Sequence, residues 1–172
     1  MDLVSGIVGS VIGGIVGGLF VLAAVKFQSF RQGEAALSAV AAEVLSNKEA
    51  AIYMTQNRQP GTAFQPGSPD PGWLKHSTWD SQLPYVVQVL DEGTMLNVRY
   101  AYSLLDAVPD MINPNPPPAQ RSRYAYGGWI DKHLNKVREA FMDADKALDN
   151  FRERLASETR WQKVRSLLNP LS

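Results

Sequence analysis

The chain of 172 residues contains no cysteine and only two histidines. Without a thiol there is no disulfide, no cysteine-ligated zinc, no thiol catalysis and no S-palmitoylation. His76 sits four residues from Asp80 and can reach it, but a metal or catalytic site needs further ligands and a pocket. His133 has no ligand at metal spacing. The sequence has no phosphate-binding glycine loop, dinucleotide glycine pattern, H-E-x-x-H, G-x-S-x-G or Glu-x-x-His pair. Asp143, Asp145 and Asp149 lack the loop glycine and terminal glutamate of a calcium hand, and a helix would hold them on different faces. We therefore expect no enzyme: no catalytic residue, no cofactor and no metal. Net charge is also missing, with 17 basic and 17 acidic residues. Residues 120–165 carry eleven basic against seven acidic side chains. That imbalance is too mild for a nucleic-acid partner.

What the chain does have is an uncharged stretch, residues 3–25, LVSGIVGSVIGGIVGGLFVLAAV. At about 1.5 Å per residue, a helix of this length spans a ~30 Å hydrocarbon core. At 100° per residue, Ser5, Gly6, Gly9, Ser10, Gly13, Gly14, Gly17 and Gly18 gather on one side, with Ile7 and Phe20 among them. Small residues let helix backbones approach closely, so this side is expected to pack against other transmembrane helices. Met1 and Asp2 give no basic n-region, and the stretch is too long for a typical signal peptide. Lys26 and Arg31 follow the span and Asp2 precedes it. The positive-inside rule then sets the N-terminus outside and the following domain in the cytoplasm, single-pass in the cell (inner) membrane.

Residues 1–27 thus form the expected anchor, 28–157 a helical domain, and 158–172 a basic amphipathic tail. Phe30, Leu37, Val40, Val44, Ala51 and Met54 follow a 3-4 spacing, with Gly33 and Asn47 filling the seam. Nothing between Val25 and Phe30 breaks a helix, so the span should run on into this one, with a possible bend at Gly33. Asn47 is either a buried register-setting contact or a solvent-facing position. Residues 57–72 contain four prolines and read as a loop. Ser77 is a plausible helix cap with Trp79 as a core lid. A helix then runs from Pro84 to Val108, with a potential break near Asp91 to Thr94. Its apolar face is wide enough to meet more than one helix.

Residues 109–123 form a proline-rich connector ahead of Arg121, Arg123, Tyr124, Tyr126 and Trp129. Arginine, tyrosine and tryptophan together are the chemistry of a lipid headgroup layer. If one helix leaves the membrane and the next returns, this connector meets the bilayer surface beside Lys26 and Arg31. Residues 128–157 hold the clearest heptads: Ile130, Leu134, Val137, Phe141, Ala144, Leu148, Phe151 and Leu155 alternate by four and three. The expected bundle seam is thus Leu37, Val44 and Asn47 against Leu134, Val137, Phe141, Leu148 and Phe151. In the tail, Trp161, Val164, Leu167 and Leu168 lie against Arg160, Lys163 and Arg165. Such a segment can dock on the bundle, lie on a membrane or bind a partner.

The pattern of a span, then E-x-x-x-N (Glu43 to Asn47), then S-T-W-D (Ser77 to Asp80), then a helix with a central tyrosine (Tyr100), resembles a loose class of bacterial single-span membrane proteins with a cytoplasmic helical domain and no assigned function. The resemblance implies structural roles for Glu43 and Trp79 and no activity. The fold expected is all-α: one transmembrane helix continuing into an antiparallel, coiled-coil-like bundle of three main helices. The expected function is a membrane-anchored accessory or assembly subunit, with membrane lipid and other transmembrane helices, its own or a larger complex's, as partners. The alternatives are a pore-forming, holin-like oligomer and a scaffold that binds lipid headgroups.

Overall fold

The computed structural model describes residues 2–62, 71–108 and 123–157, without the side chains of 2–13, 15, 71 and 123–126. The described chain is helical, and it contains no strand. Helix α1 covers Asp2–Asn57, 56 residues without interruption. A 3₁₀ turn, Pro71–Trp73, precedes α2, Ser77–Val86. Helix α3, Glu92–Ser103, runs into a second 3₁₀ turn, Leu104–Ala107. Helix α4 covers Arg123–Ser157. Proline is absent from α1, and the helix stops just before Pro60 and Gly61, the latter at φ 75°. Only a residue without Cβ takes that backbone at no cost.

The core comes from the heptads. On α1, Leu37, Val40, Val44, Asn47, Ala51 and Met54 are buried, as is Gly33. Facing them on α4 are Ile130, Leu134, Val137, Phe141, Ala144, Leu148 and Phe151, with Leu155 half-buried. The two helices are antiparallel. Lys48 Nζ lies 2.5 Å from Asp145 Oδ2, and the Arg58 guanidinium pairs with Asp131. Helix α1 runs through Gly33 without interruption. A Cβ there would overlap a methyl of Val89, so glycine serves close approach of the residues after α2.

Between α1 and α4 the chain makes two passes, not one. Trp73 stacks on Tyr53, Asn47 holds Lys75, Glu43 holds Thr78, and Gly33 meets Val89. The segment 73–89 therefore descends α1 toward the N-terminal half. At the bottom Asp91 accepts from the Thr94 backbone N–H at 2.8 Å and starts α3. Arg154, near the end of α4, pairs with Asp91. Helix α3 then climbs until Leu104 O receives the His133 ring nitrogen at 2.9 Å. The result is an up-down-up-down bundle of four helices.

The break expected near Asp91 to Thr94 separates two helices, α2 ending at Val86 and a new start capped by Asp91, and what this order corrects is the direction of the chain after it. That extra turn reverses the polarity of everything after it. The start of α4 consequently lies beside the C-terminal end of α1, where Gly127 touches Gly61. The start of α4, with Trp129, is thus at the end of the bundle farthest from Lys26 and Arg31, not beside them, and the connector before it lies outside the described residues. Among the described residues no helix is long and apolar enough to cross a membrane. The first part of the 3–25 stretch falls among residues whose side chains are not described.

Candidate functional site

The most constrained chemistry is a buried carboxylate. His76, the residue preceding α2, supplies no side-chain cap, and neither does Ser77, where the cap was expected. Helix α2 would leave its first N–H groups unpaired. Glu43, reaching across from α1, supplies the acceptors. Its Oε2 accepts from the Thr78 N–H at 3.0 Å and its Oε1 from the Trp79 N–H at 3.1 Å. Tyr102 on α3 donates its hydroxyl to the same Oε1 at 2.9 Å. A negative charge at a helix N-terminus is also favoured by the helix dipole.

Burial by itself raises the Glu43 carboxyl pKa, but the bonds from Thr78, Trp79 and Tyr102 outweigh it and hold the group below the ordinary glutamate value. The Tyr102 phenol is pushed upward, first by burial and then by the Glu43 charge, so it stays protonated as the donor. Its ring stacks on Trp79 at 5.0 Å and meets Phe141 edge-on at 5.5 Å. Tyr102 thereby touches one residue on each of the other three helices.

One turn along α1, Asn47 is buried and grips one peptide. Its Nδ2 donates to Lys75 O at 2.6 Å, and its Oδ1 accepts from Lys75 N at 2.8 Å. The choice left open by the sequence is resolved: Asn47 fixes the register of the segment entering α2. A third cluster joins the C-terminal end of α1 to α4. Buried Arg58 pairs with Asp131, which also accepts from the Gly61 N–H at 2.6 Å. A Cβ on Gly127 would overlap the Gly61 carbonyl, so the loop and α4 meet backbone to backbone.

Glu43 is sealed beneath Trp79 and Tyr102. Beside the Arg58–Asp131 pair is a half-open hollow of about 140 Å³, lined by Met54, Thr55 and Leu134 among others. It is smaller than the ~300–1,000 Å³ of a typical small-molecule pocket, and its cation already has a carboxylate partner. Among the described residues no three His, Asp or Glu side chains converge as a metal site.

The remaining sequence candidates are dispersed. Among the described residues, nothing outside the helix's own neighbouring turns lies within 4 Å of the positions where Gly14, Gly17 and Gly18 would carry a Cβ; Ser5, Gly6, Gly9, Ser10 and Gly13 fall among the residues whose side chains are not described. Lys26 and Arg31 are exposed, Arg31 over the Phe27 ring at 5.9 Å. Trp129 is half-buried and stacks on His133 at 5.6 Å. Arg121 and the tail from 158 lie outside the described residues. His76 meets Asp80 at 2.5 Å on the surface. Tyr100, the tyrosine singled out in the sequence, is exposed, and Tyr102 holds the central place. Its burial phase with Val98, Ala101 and Leu105 was the available signal. No protein-family model, curated protein or solved structure matches the chain.

Proposed function

We propose that this chain is a membrane-anchored, non-catalytic assembly or accessory subunit. Residues 3–25 hold it in a bilayer, their glycine side packs against neighbouring spans, and the bundle offers a surface to partners in the cytoplasm. The observation that carries the reading is the run of exposed apolar side chains on α1 from Leu19 to Phe27 among the described residues. Leu19 is 62% exposed, Phe20 73% and Leu22 62%, and Val21, Val25 and Phe27 are similarly open. Burying a large apolar side chain is worth roughly 1.5–3 kcal/mol. Six of them left in water forfeit on the order of 10 kcal/mol by that measure. A contiguous apolar surface of this kind calls for lipid or partner helices around it.

The test is the mass and composition of the complex drawn from native membranes in mild detergent, with the wild-type chain and with Gly13→Leu plus Gly17→Leu. The accessory reading expects a few copies travelling with a larger membrane complex, and their loss in the double variant while the bundle keeps its helical signal. An unchanged complex after the substitution rules out the close-packed glycine side. Recovery of the chain in the soluble fraction rules out the anchor. A homogeneous ring of this chain alone favours the pore-forming alternative.

A further inference from the structure

The stretch from Trp73 to Leu90, which contains α2, is held differently from the other helices. Helix α4 fully buries Ile130, Leu134, Val137, Phe141, Ala144 and Leu148. Residues 73–90 bury Leu74, Trp79, Val86 and Leu90 and leave Trp73, Tyr85 and Val87 about half open. Among the described residues, the hydrogen bonds that fasten this stretch to other helices all reach α1. Asn47 bonds the N–H and the C=O of Lys75, and Glu43 accepts from the Thr78 and Trp79 N–H groups. Toward α3 the tie is a ring contact, Trp79 on Tyr102. Segments with few buried apolar contacts are the ones that open below global unfolding.

Away from α1 this stretch has little reason to be helical. Helix α2 has 10 residues, fewer than the ~12–15 at which an isolated helix becomes even marginal in water. Pro84 lies inside it and removes one of its N–H groups. Its first N–H groups are capped from α1, not by a side chain of its own. Helical structure in α2 and contact with α1 therefore stand or fall together, because a stretch lifted from α1 loses its cap and its packing face at once. The polar part of this interface is also of a kind that water repairs. Asn47 and the backbone groups of Lys75, Thr78 and Trp79 exchange protein partners for water at a small net loss. Tyr102 keeps its bond to Glu43 from α3, so the carboxylate is not stranded when α2 leaves. The apolar seam between α1 and α4 receives no such return from water.

We propose that residues 73–90 form a strap that lifts from α1 and recloses as one unit while α1, α3 and α4 stay packed. The strap ends at Asp91, which caps α3 through the Thr94 N–H and pairs with Arg154 of α4. Its opening uncovers the Glu43 carboxylate, the Asn47 amide and one face of the Tyr102 ring, all buried in the closed form. The strap is a property of the bundle and does not depend on the reading of residues 3–25.

Amide hydrogen exchange of the full chain in detergent, read residue by residue at rising urea below the global transition, measures the opening. The protected amides of residues 78–90 should exchange at least roughly tenfold faster than those of 134–148, and should share one urea dependence shallower than theirs. Two variants test whether the strap moves as a unit. Val86→Ala truncates a fully buried side chain at the lower end. It should speed exchange at Thr78 and Trp79, at the upper end, by the same factor as at Leu90, roughly tenfold. The second variant is a lock, which the absence of native cysteine permits. A Cβ on Gly33 would stand 3.4 Å from the Val89 Cβ, close to the ~3.5–4.5 Å across a disulfide. Oxidised Gly33→Cys with Val89→Cys should slow exchange at Thr78 and Trp79, and reduction should restore it. If residues 78–90 exchange at the rate and with the urea dependence of 134–148, they open only with the whole bundle and the strap is refuted. If Val86→Ala or the lock changes only the amides beside it, the stretch frays piece by piece, which also refutes a single unit.

Discussion

Tyr102→Phe isolates the hydroxyl that ties α3 to the Glu43 carboxylate. The ring keeps its place, stacked on Trp79 at 5.0 Å and edge-on to Phe141 at 5.5 Å, so packing is conserved. What is lost is one hydrogen bond to a charged acceptor, worth about 1.5–3 kcal/mol. The Thr78 and Trp79 amides still hold the carboxylate, so the expected loss of stability is about 2 kcal/mol. At roughly 2–4 °C per kcal/mol for a protein of this size, the midpoint should fall by about 4–8 °C. The loss should also depend on pH. Glu43 has a folded pKa below its ordinary 4.5. Its contribution is therefore present in full above about pH 4.5 and is lost as pH falls through the folded value. A protonated carboxyl is the weaker acceptor, so the difference between wild type and Tyr102→Phe should shrink in acid. Removing one of the bonds that depress the pKa also raises it, so the variant should lose less stability in acid than the wild type, and its loss should be complete at a higher pH. Denaturant melts of the full chain in detergent, at neutral pH and in steps below pH 5, measure both effects. A difference under 0.5 kcal/mol at neutral pH, or one constant through the acid range, would refute the role assigned to this hydroxyl.

Two further substitutions test the bundle. Gly33→Ala should destabilise by about 1 kcal/mol despite the better helix propensity of alanine, because the new methyl meets Val89. Adding Val89→Ala should make the Gly33→Ala step neutral or favourable, and a double-mutant cycle with no coupling would contradict that contact. Asn47→Leu keeps the size of the side chain but leaves both polar groups of the Lys75 peptide unpaired. It should cost about 1–3 kcal/mol and raise amide hydrogen exchange over residues 73–79 before elsewhere; uniform exchange across the bundle would count against a register role.

The seams of α1 and α4 were readable because a heptad repeat needs no knowledge of its partner: Leu37 to Met54 and Ile130 to Phe151 follow the burial of their helices. Asn47 was visible as a polar residue on an apolar seam, but its partner, a backbone peptide 28 residues away, has no sequence signature. The cap of α2 was misplaced for a related reason. Ser77 satisfies a local rule, whereas the acceptors come from Glu43, 35 residues earlier. Tyr100 and Tyr102 differ by 200° around α3, and only tertiary packing decides which is inside. The break expected near Asp91 to Thr94 is where α3 starts, but nothing local in the sequence shows that the chain reverses direction there. Because each antiparallel helix reverses direction, that reversal puts Trp129 at the end of the bundle away from Lys26 and Arg31.

The unbroken course of α1 fixes a rotational phase between its two halves. Eighteen residues make five turns of an α-helix, so Gly17, Ala35 and Tyr53 stand above one another along a single line of the rod. With Gly33 wedged against Val89 and no proline in α1, the rod has no swivel at which that alignment can slip. Any rotation of the N-terminal half about its axis would turn the bundle through the same angle, so α1 has the geometry of a torsion shaft.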